Sequence, residues 1–495
     1  MAKDTRYVVG IDSSTQSVKA IAWTRDGLPA AEGRAPLDIS LPRPLHAEQD
    51  ADQWWVATRT ALKAVTAAID PASIDGVAIS NQRETMVLVD EQNRPLAPAT
   101  LWLDRRAQAM TQELSDVFGA ETLHGISGKP VGVIPCLYRL AHMRRHTPEL
   151  LDKAHLILDV NGFLLRHLTG TSHATWTSAD PFGIFDIREK SWSRPLLDHL
   201  KIRKNQLPDV LAPGRQAGTI HASAAAETGL REGTPIFAAG GDGHCASLGV
   251  NAVRPGIVYL NLGTAVVSGV WAAQPELSRF WRTLISPTGE GYLLESCQRS
   301  GAFFLNWFID NFAGGRSDQR VFAKLDEAAA SIPVGSDGVS VCSYLVGCMD
   351  PHWDEDARAT FTGMAPEHTT AHLYRACLEA ITLEFARSLV AVRDKRLATE
   401  RILAIGGGAS NPVWLKMIAD STSIPVTLSL SNEASALGAG IYAAVGAGWY
   451  QSLQTAAEGM TRTAGEIEPD LSTASAWAAL SARQARVYAA NRMLV

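Results

Sequence analysis

The stretch VVGIDSSTQSVKAIAW, residues 8–23, decides how the rest of the chain is read. Two apolar runs, Val8-Val9 and Ala20-Ile21-Ala22-Trp23, enclose six consecutive hydrogen-bonding side chains, Asp12 to Ser17. The flanks predict two strands joined by a turn. Two residues such as Asn-Gly suffice to turn a hairpin, so the extra polar residues ask for another purpose. A turn whose backbone N–H groups and hydroxyls converge makes a nest for phosphate oxygens, and Thr15, Gln16, Ser17 and Lys19 are spaced to build one. Asp12, at the end of the first strand, would repel bare phosphate and makes sense with Mg2+ between them. The alternative is a polar hairpin tip with a solvated lysine, and there is no Walker-type glycine-rich loop to decide between the two.

The same arrangement returns halfway along the chain. In PGIVYLNLGTAVVSGVWAA (255–273), strand-like Val258-Tyr259-Leu260 and Val266 to Val270 enclose the small turn residues Gly263 and Thr264. Two domains of related plan, each presenting one turn to a shared cleft, are the natural reading. Around the first copy, strand-like runs at Tyr7–Ile11, Val18–Trp23, Gly76–Ile79 and Thr85–Val89 alternate with helical periodicity. Ala51–Ile69 carries Trp55, Leu62, Val65 and Ile69 at helical spacing, which predicts α/β architecture. After the second copy, RILAIGGGASNPVWLKMIADSTSIPVTL (401–428) reads as strand, glycine-rich turn, helix, strand, and NEASALGAGIYAAVGAG (432–448) as a helix of small residues for close packing. An Ala-rich helix is expected from about Ser472 to Leu494.

Bulk composition narrows the class. At 495 residues the chain is too long for one core and should form two or three domains. A net charge of −6 gives no global attraction to nucleic acid or an anionic membrane. The pairs Arg105-Arg106 and Arg144-Arg145 read as solvated helix faces. The six cysteines show no C-x-x-C pair and no metal spacing, which predicts small buried thiols. No apolar run approaches the ~20 residues that cross a bilayer. A cytoplasmic, non-membrane protein is expected.

Three further clusters could carry chemistry. In AAGGDGHCA, Asp242 follows an apolar run and two glycines, so its carboxylate stands at a strand end with no bulky neighbour. Such a group can orient and accept the proton of an attacking hydroxyl, or it can simply stabilise its own turn. His244 reads as a hydrogen-bonded structural histidine. In ISNQRETMVLVD, the polar side chains Asn81, Gln82, Arg83 and Glu84 meet at a strand end and suit a polyhydroxylated ligand, with Trp102 as an apolar plate nearby. As alternatives, Arg83–Glu84 is a surface ion pair and Trp102 a core residue. The glycines 406–408 could admit a nucleotide or mark a crowded crossing.

Taken together and in order, these segments resemble the FGGY family of carbohydrate kinases, from Gly10 to about Gly448. GIDSSTQSVKA resembles its first phosphate loop, HAEQDADQWW its EQDP…WW segment, GDGHCASLG its catalytic-aspartate segment and NLGTAVVSGV its second phosphate loop. FTGMAPEHTTAHLYRACLEA (361–380) resembles its C-terminal signature, and GGGASNPVWLKMIAD its adenosine loop. The resemblance implies an α/β protein of two actin-like, ribonuclease-H-like domains, 1–248 and 249–495, with the active site in the cleft between them. It implies ATP and Mg2+, with Asp242 as general base and Asp12 as the metal carboxylate. Thr15, Gln16, Ser17, Lys19, Gly263 and Thr264 would face phosphates. Gly407, Gly408 and Asn411 would hold adenosine, and Gln82, Arg83, Glu84, Trp102 and Asp242 the sugar.

The acceptor is where the motifs split. Asn-Gln-Arg-Glu-Thr resembles glycerol kinases, whereas the phosphate loops resemble xylulokinases. The usual GERTPYWD is here GCMDPHWD (347–354), with Met349-Asp350 in place of Arg-Thr. A ketopentose is favoured, with glycerol, a tetritol or a pentitol as the alternative, and a non-catalytic ATP-binding sensor as a reading from another class. A small-molecule sugar or polyol is the expected partner, nucleic acid and membrane are not, and a homodimer stays open.

Overall fold

The computed structural model describes residues 5–493 except 319 and 432. In the N-terminal half, β1 (Tyr7–Ser13), β2 (Ser17–Trp23) and β3 (Pro29–Pro36) form an antiparallel meander. The helix α1 (Ala51–Ala68) packs across it, burying Trp54, Leu62 and Val65. Next come β4 (Ile74–Asn81), β5 (Gln216–Thr219) and β6 (Pro235–Gly241), which complete a six-stranded sheet of order β5-β6-β4-β1-β2-β3. β1 and β4 run parallel at its centre and are buried throughout, which is why both are apolar at consecutive positions instead of alternating. β6 leads directly into the helix α2 (Asp242–Gly249).

The C-terminal half repeats this design. β7 (Gly256–Leu262), β8 (Val266–Ala272), β9 (Arg282–Ile285), β10 (Tyr292–Gln298), β11 (Thr399–Ile405), β12 (Val426–Ser429) and β13 (Thr463–Ile467) form a sheet of order β9-β10-β8-β7-β11-β12-β13. From β10 to β13, strand order and direction match β3-β2-β1-β4-β6-β5, with β9 added at one edge. The two expected turns occupy equivalent corners, β1–β2 and β7–β8. Each is three residues long, because Asp12, Ser13 and Ser17 belong to the strands. The helix α3 (Pro412–Thr422) follows the glycine-rich turn after β11, and α4 (Ala434–Gly446) follows β12. The terminal helix divides into Ala474–Gln484 and Val487–Arg492; Leu494 lies outside the described residues. No helix among the described residues is long and apolar enough to cross a membrane.

Each sheet has its own apolar core, and a third apolar cluster joins the halves. In it α4, from the C-terminal half, lies on the N-terminal sheet against Val8, Trp23 and Phe237. Its small residues are required by approach distance. A Cβ on Gly438 would overlap the carbonyl oxygen of Cys245 in α2, and one on Gly249 would overlap that of Ala434. Gly438→Ala is therefore expected to lower stability by roughly 1–3 kcal/mol or more. Gly125→Ala, on a helix with open space around it, should be neutral or stabilising. Thermal denaturation of the two variants side by side checks this.

Candidate active site

The β1–β2 turn is fastened from behind. The Ser14 N–H and hydroxyl both donate to the Ser17 carbonyl, at 3.0 and 2.9 Å. The Thr15 carbonyl accepts from Gln49 Nε2 at 2.7 Å, and its hydroxyl from Trp102 Nε1 at 3.0 Å. Gln49 Oε1 accepts in turn from Trp54 Nε1 and Gln82 Nε2, both at 2.9 Å. The EQ…WW segment thus serves as a brace for the turn. Gln82, expected to face a ligand, is buried within that brace. Lys19 also departs from expectation. Its ammonium lies 2.6 Å from Glu433 beside the start of α4, so it is committed to a carboxylate and not offered to phosphate.

On the other sheet, Gly263 and Thr264 line a cavity of about 570 Å3 together with Gly407, Gly408 and Asn411. The three adjacent glycines are there for different reasons. Gly406 adopts φ 87°, which disfavours a side chain. Gly408 lets Trp414 and Leu262 pack closely, while a Cβ on Gly407 would meet nothing. Asn411 caps α3 by accepting from the Trp414 N–H, and its Nδ2 donates to Asp326 at 2.7 Å on the cavity wall.

At the junction of β6 and α2, Asp242 accepts from its neighbour's Gly243 N–H at 2.8 Å and from Arg83 Nε at 3.0 Å. Its side chain remains 40% exposed. Arg83 continues to Glu295 on β10, at 2.9 Å. Glu295 also pairs with Arg282 on β9, and Arg282 reaches back to Glu84 at 2.6 Å. Five alternating charges, Asp242–Arg83–Glu295–Arg282–Glu84, therefore stitch the two halves together. Burial alone would raise the Glu295 carboxyl, but Arg83 and Arg282 pull it down to about 2. Glu84 sits at φ 49°, a conformation uncommon outside glycine, with its side chain on Arg282 and Arg139 donating to its carbonyl. Arg83–Glu84 is thus no surface pair.

Asp12 is buried close to Asp242. Burial, reinforced by the Asp242 charge, pushes Asp12 up to about 7, against the Ser80 hydroxyl that donates to it at 3.0 Å. A buried carboxylate whose proton affinity is raised by a second carboxylate beside it suits a bound cation. Among the described residues no group of three or more His, Cys, Asp or Glu is arranged to hold a metal by itself.

Three expectations outside the main site need correction. His244 is fully buried, yet among the described residues neither ring nitrogen has a hydrogen-bond partner, and the Asp180 carboxylate stops 3.9 Å away. Burial pushes its pKa well down, so it is neutral. Arg105 and Arg106 are not solvated: Arg106 is held by Asp104 and Glu48, and Arg105 reaches Glu355 at 3.1 Å. Arg144 is likewise mostly covered and paired with Asp152, whereas Arg145 is half exposed, as expected, and pairs with Glu113 at the surface. The cysteines are free thiols, as expected, and buried except for half-buried Cys297.

The model of the FGGY family of carbohydrate kinases matches in both parts, the N-terminal domain over residues 7–249 and the C-terminal domain over 258–447. The chain belongs to the FGGY family of carbohydrate kinases. This FGGY kinase is 28% identical to the xylulose kinase of Bacillus subtilis (strain 168) over 470 residues, covering 94% of this chain and 93% of that one. It is 23% identical to the gluconokinase of the same organism over 450 residues, covering 89% and 88%. The crystal structure of xylulose kinase from Rhodospirillum rubrum superposes with a TM-score of 0.91 at 27% identity, covering 99% of each chain. The two domains of related plan read from the repeated turns, and the actin-like fold that the family resemblance implies, agree with that superposition. Glu295 and Arg282 had not been singled out in the sequence. The available signal was a lone charge inside the otherwise uncharged strand YLLESCQ, which must find a partner once buried.

Proposed function

We propose that this FGGY kinase transfers the γ-phosphate of ATP to a primary hydroxyl of a ketopentose of the xylulose or ribulose kind, with Asp242 as general base. The observation that carries the reading is Asp242 itself: an accessible carboxylate at the start of α2, aligned by Arg83 and facing Asp12. In the proposed reaction the acceptor oxygen bonds to the γ-phosphorus as the bond to the β-phosphate bridging oxygen breaks. The hydroxyl proton passes to Asp242, and ADP leaves. The turn residues Thr15, Gln16 and Ser17 meet the phosphates from one side, and Gly263 and Thr264 from the other. Adenosine occupies the cavity at Gly407, Gly408 and Asn411, and the sugar lies by Arg83, Glu84 and Trp102. Asp12 fits Mg2+, which when bound would offset the phosphate charge. Dependence on ATP suits a cytoplasmic setting.

ADP release tests this reading. It should depend on added sugar, with pentuloses exceeding glycerol, pentitols and gluconate in kcat/KM. Release that no pentulose, tetrulose, polyol or gluconate stimulates would reject it.

A further inference from the structure

The cavity of about 570 Å3 proposed for adenosine has a wall that the two turns do not supply. Phe322 and Asp326, one turn apart on the helix Val321–Ala330, line it together with Tyr374 and Asn411. Phe322 is 36% exposed there, and a Cβ on Gly407 would meet nothing, so a flat ring has both room and an aromatic plate to stack on. Stacking accepts every base alike. Any choice among bases has to come from the polar groups.

Those groups are already ordered among themselves. Asp326 Oδ1 accepts from the Tyr374 hydroxyl at 2.8 Å and from Asn411 Nδ2 at 2.7 Å. Both donors favour the ionised carboxyl, against the burial that pushes its pKa up. Among the described residues nothing donates to Asp326 Oδ2. The Asn411 amide cannot be turned over, because its oxygen is taken by the Trp414 N–H at 2.9 Å and its nitrogen by Asp326. One amide hydrogen and one carboxylate oxygen, side by side, are what this wall leaves for a ligand.

We propose that Asp326 selects the base of the nucleotide: together with Asn411 it accepts adenine and rejects purines that carry a carbonyl at ring position 6, guanine and hypoxanthine. The proposal rests on the reading that puts adenosine in this cavity and names the residue that enforces it. The amino group of adenine can donate to Oδ2 while the neighbouring ring nitrogen accepts from Asn411. With the phosphates anchored in the same place, guanine and hypoxanthine bring an oxygen against the carboxylate instead. A carboxylate with both oxygens free would suit guanine, whose two adjacent N–H groups match it. Asp326 Oδ1 already holds two hydrogens, which leaves a single acceptor. A matched donor–acceptor pair of this kind is worth roughly 10- to 100-fold in affinity.

Calorimetric titration of the full chain with ADP, GDP and IDP tests the selection without any sugar. ADP should bind ~10-fold or more tighter than either of the others. Asp326→Asn keeps the size of the side chain, and its oxygen can still accept from Tyr374 and Asn411, which turns an NH2 group to the place of Oδ2. The preference for ADP over IDP should then fall by ~10-fold or more. A merely structural role would weaken all three nucleotides alike and leave their ratio unchanged. Equal affinities in the wild-type protein, a comparison that needs no variant to fold, or an unchanged ratio in Asp326→Asn, overturn the proposal. Selective ADP binding without sugar-stimulated ADP release would reject the ketose-kinase reading and keep the role of Asp326. Sugar-stimulated release with equal nucleotide affinities would do the reverse.

Discussion

Asp242→Asn is expected to lower turnover by ~10² or more while sugar affinity stays nearly unchanged. The amide keeps the size of the carboxylate, and its oxygen can still accept from Arg83 Nε and the Gly243 N–H, so the start of α2 should be undisturbed. What it loses is the ability to take a proton from the attacking hydroxyl. In a loose transition state the proton moves late, so alignment carries much of the rate, and a loss near the lower end of the general-base range is the reasonable expectation. The substitution also removes the charge that helps raise Asp12, whose pKa should fall from about 7. Steady-state ADP release gives kcat, and calorimetric titration with sugar in the absence of ATP gives affinity. Turnover close to wild type would remove Asp242 from the mechanism.

Glu295→Ala should be the most damaging single change to the folded protein. Glu295 is the only carboxylate in the five-charge chain that serves two guanidinium groups, and both arginines are largely buried. Deleting it leaves Arg83 and Arg282 facing each other without their shared anion, a loss of roughly 3–5 kcal/mol. Activity should fall with it, because Arg83 then has only Asp242 to hold. Glu295→Gln keeps the shape and should fall between. The pH dependence has a definite sign. With the native carboxyl held near 2 against an ordinary 4.5, its contribution is complete above about 4.5 and is lost as the pH falls toward 2. Denaturant titrations of wild type and both variants at pH 7 and pH 4 measure these differences. Equal stability of wild type and Glu295→Ala would show that the chain of charges holds nothing together.

The plan of the molecule was legible because it is written in local patterns. Buried central strands leave unbroken apolar runs, and a small polar turn interrupting two such runs is visible twice without any knowledge of the fold. The cavity proposed for adenosine was legible in the same way, through Gly263, Thr264, Gly407, Gly408 and Asn411, five residues in two short stretches that the fold brings together. The polar partnerships were not. Lys19 finds Glu433 414 positions later, and Arg83 finds Glu295 across 212 positions, so no window of sequence contains both members of either pair. Gln82 misled for a related reason. An amide at a strand end looks the same whether it faces a ligand or braces Gln49, and only the tertiary position of Trp54 and Thr15 distinguishes them.

The glycine contact between α2 and α4 has a mechanical consequence. Where two helices meet through interlocked side chains, rotating one against the other means lifting every knob out of its hole. Here Gly438 faces a carbonyl of α2 and Gly249 a carbonyl of α4, so the meeting surfaces are smooth main chain. Along this line carbonyls face bare Cα atoms, while the rest of α4 keeps its side-chain packing on Val8, Trp23 and Phe237. The α2–α4 contact can then serve as the axis of a small rocking motion, its resistance shared between the apolar packing of α4 on the N-terminal sheet and the arginines and glutamates that clasp across the gap.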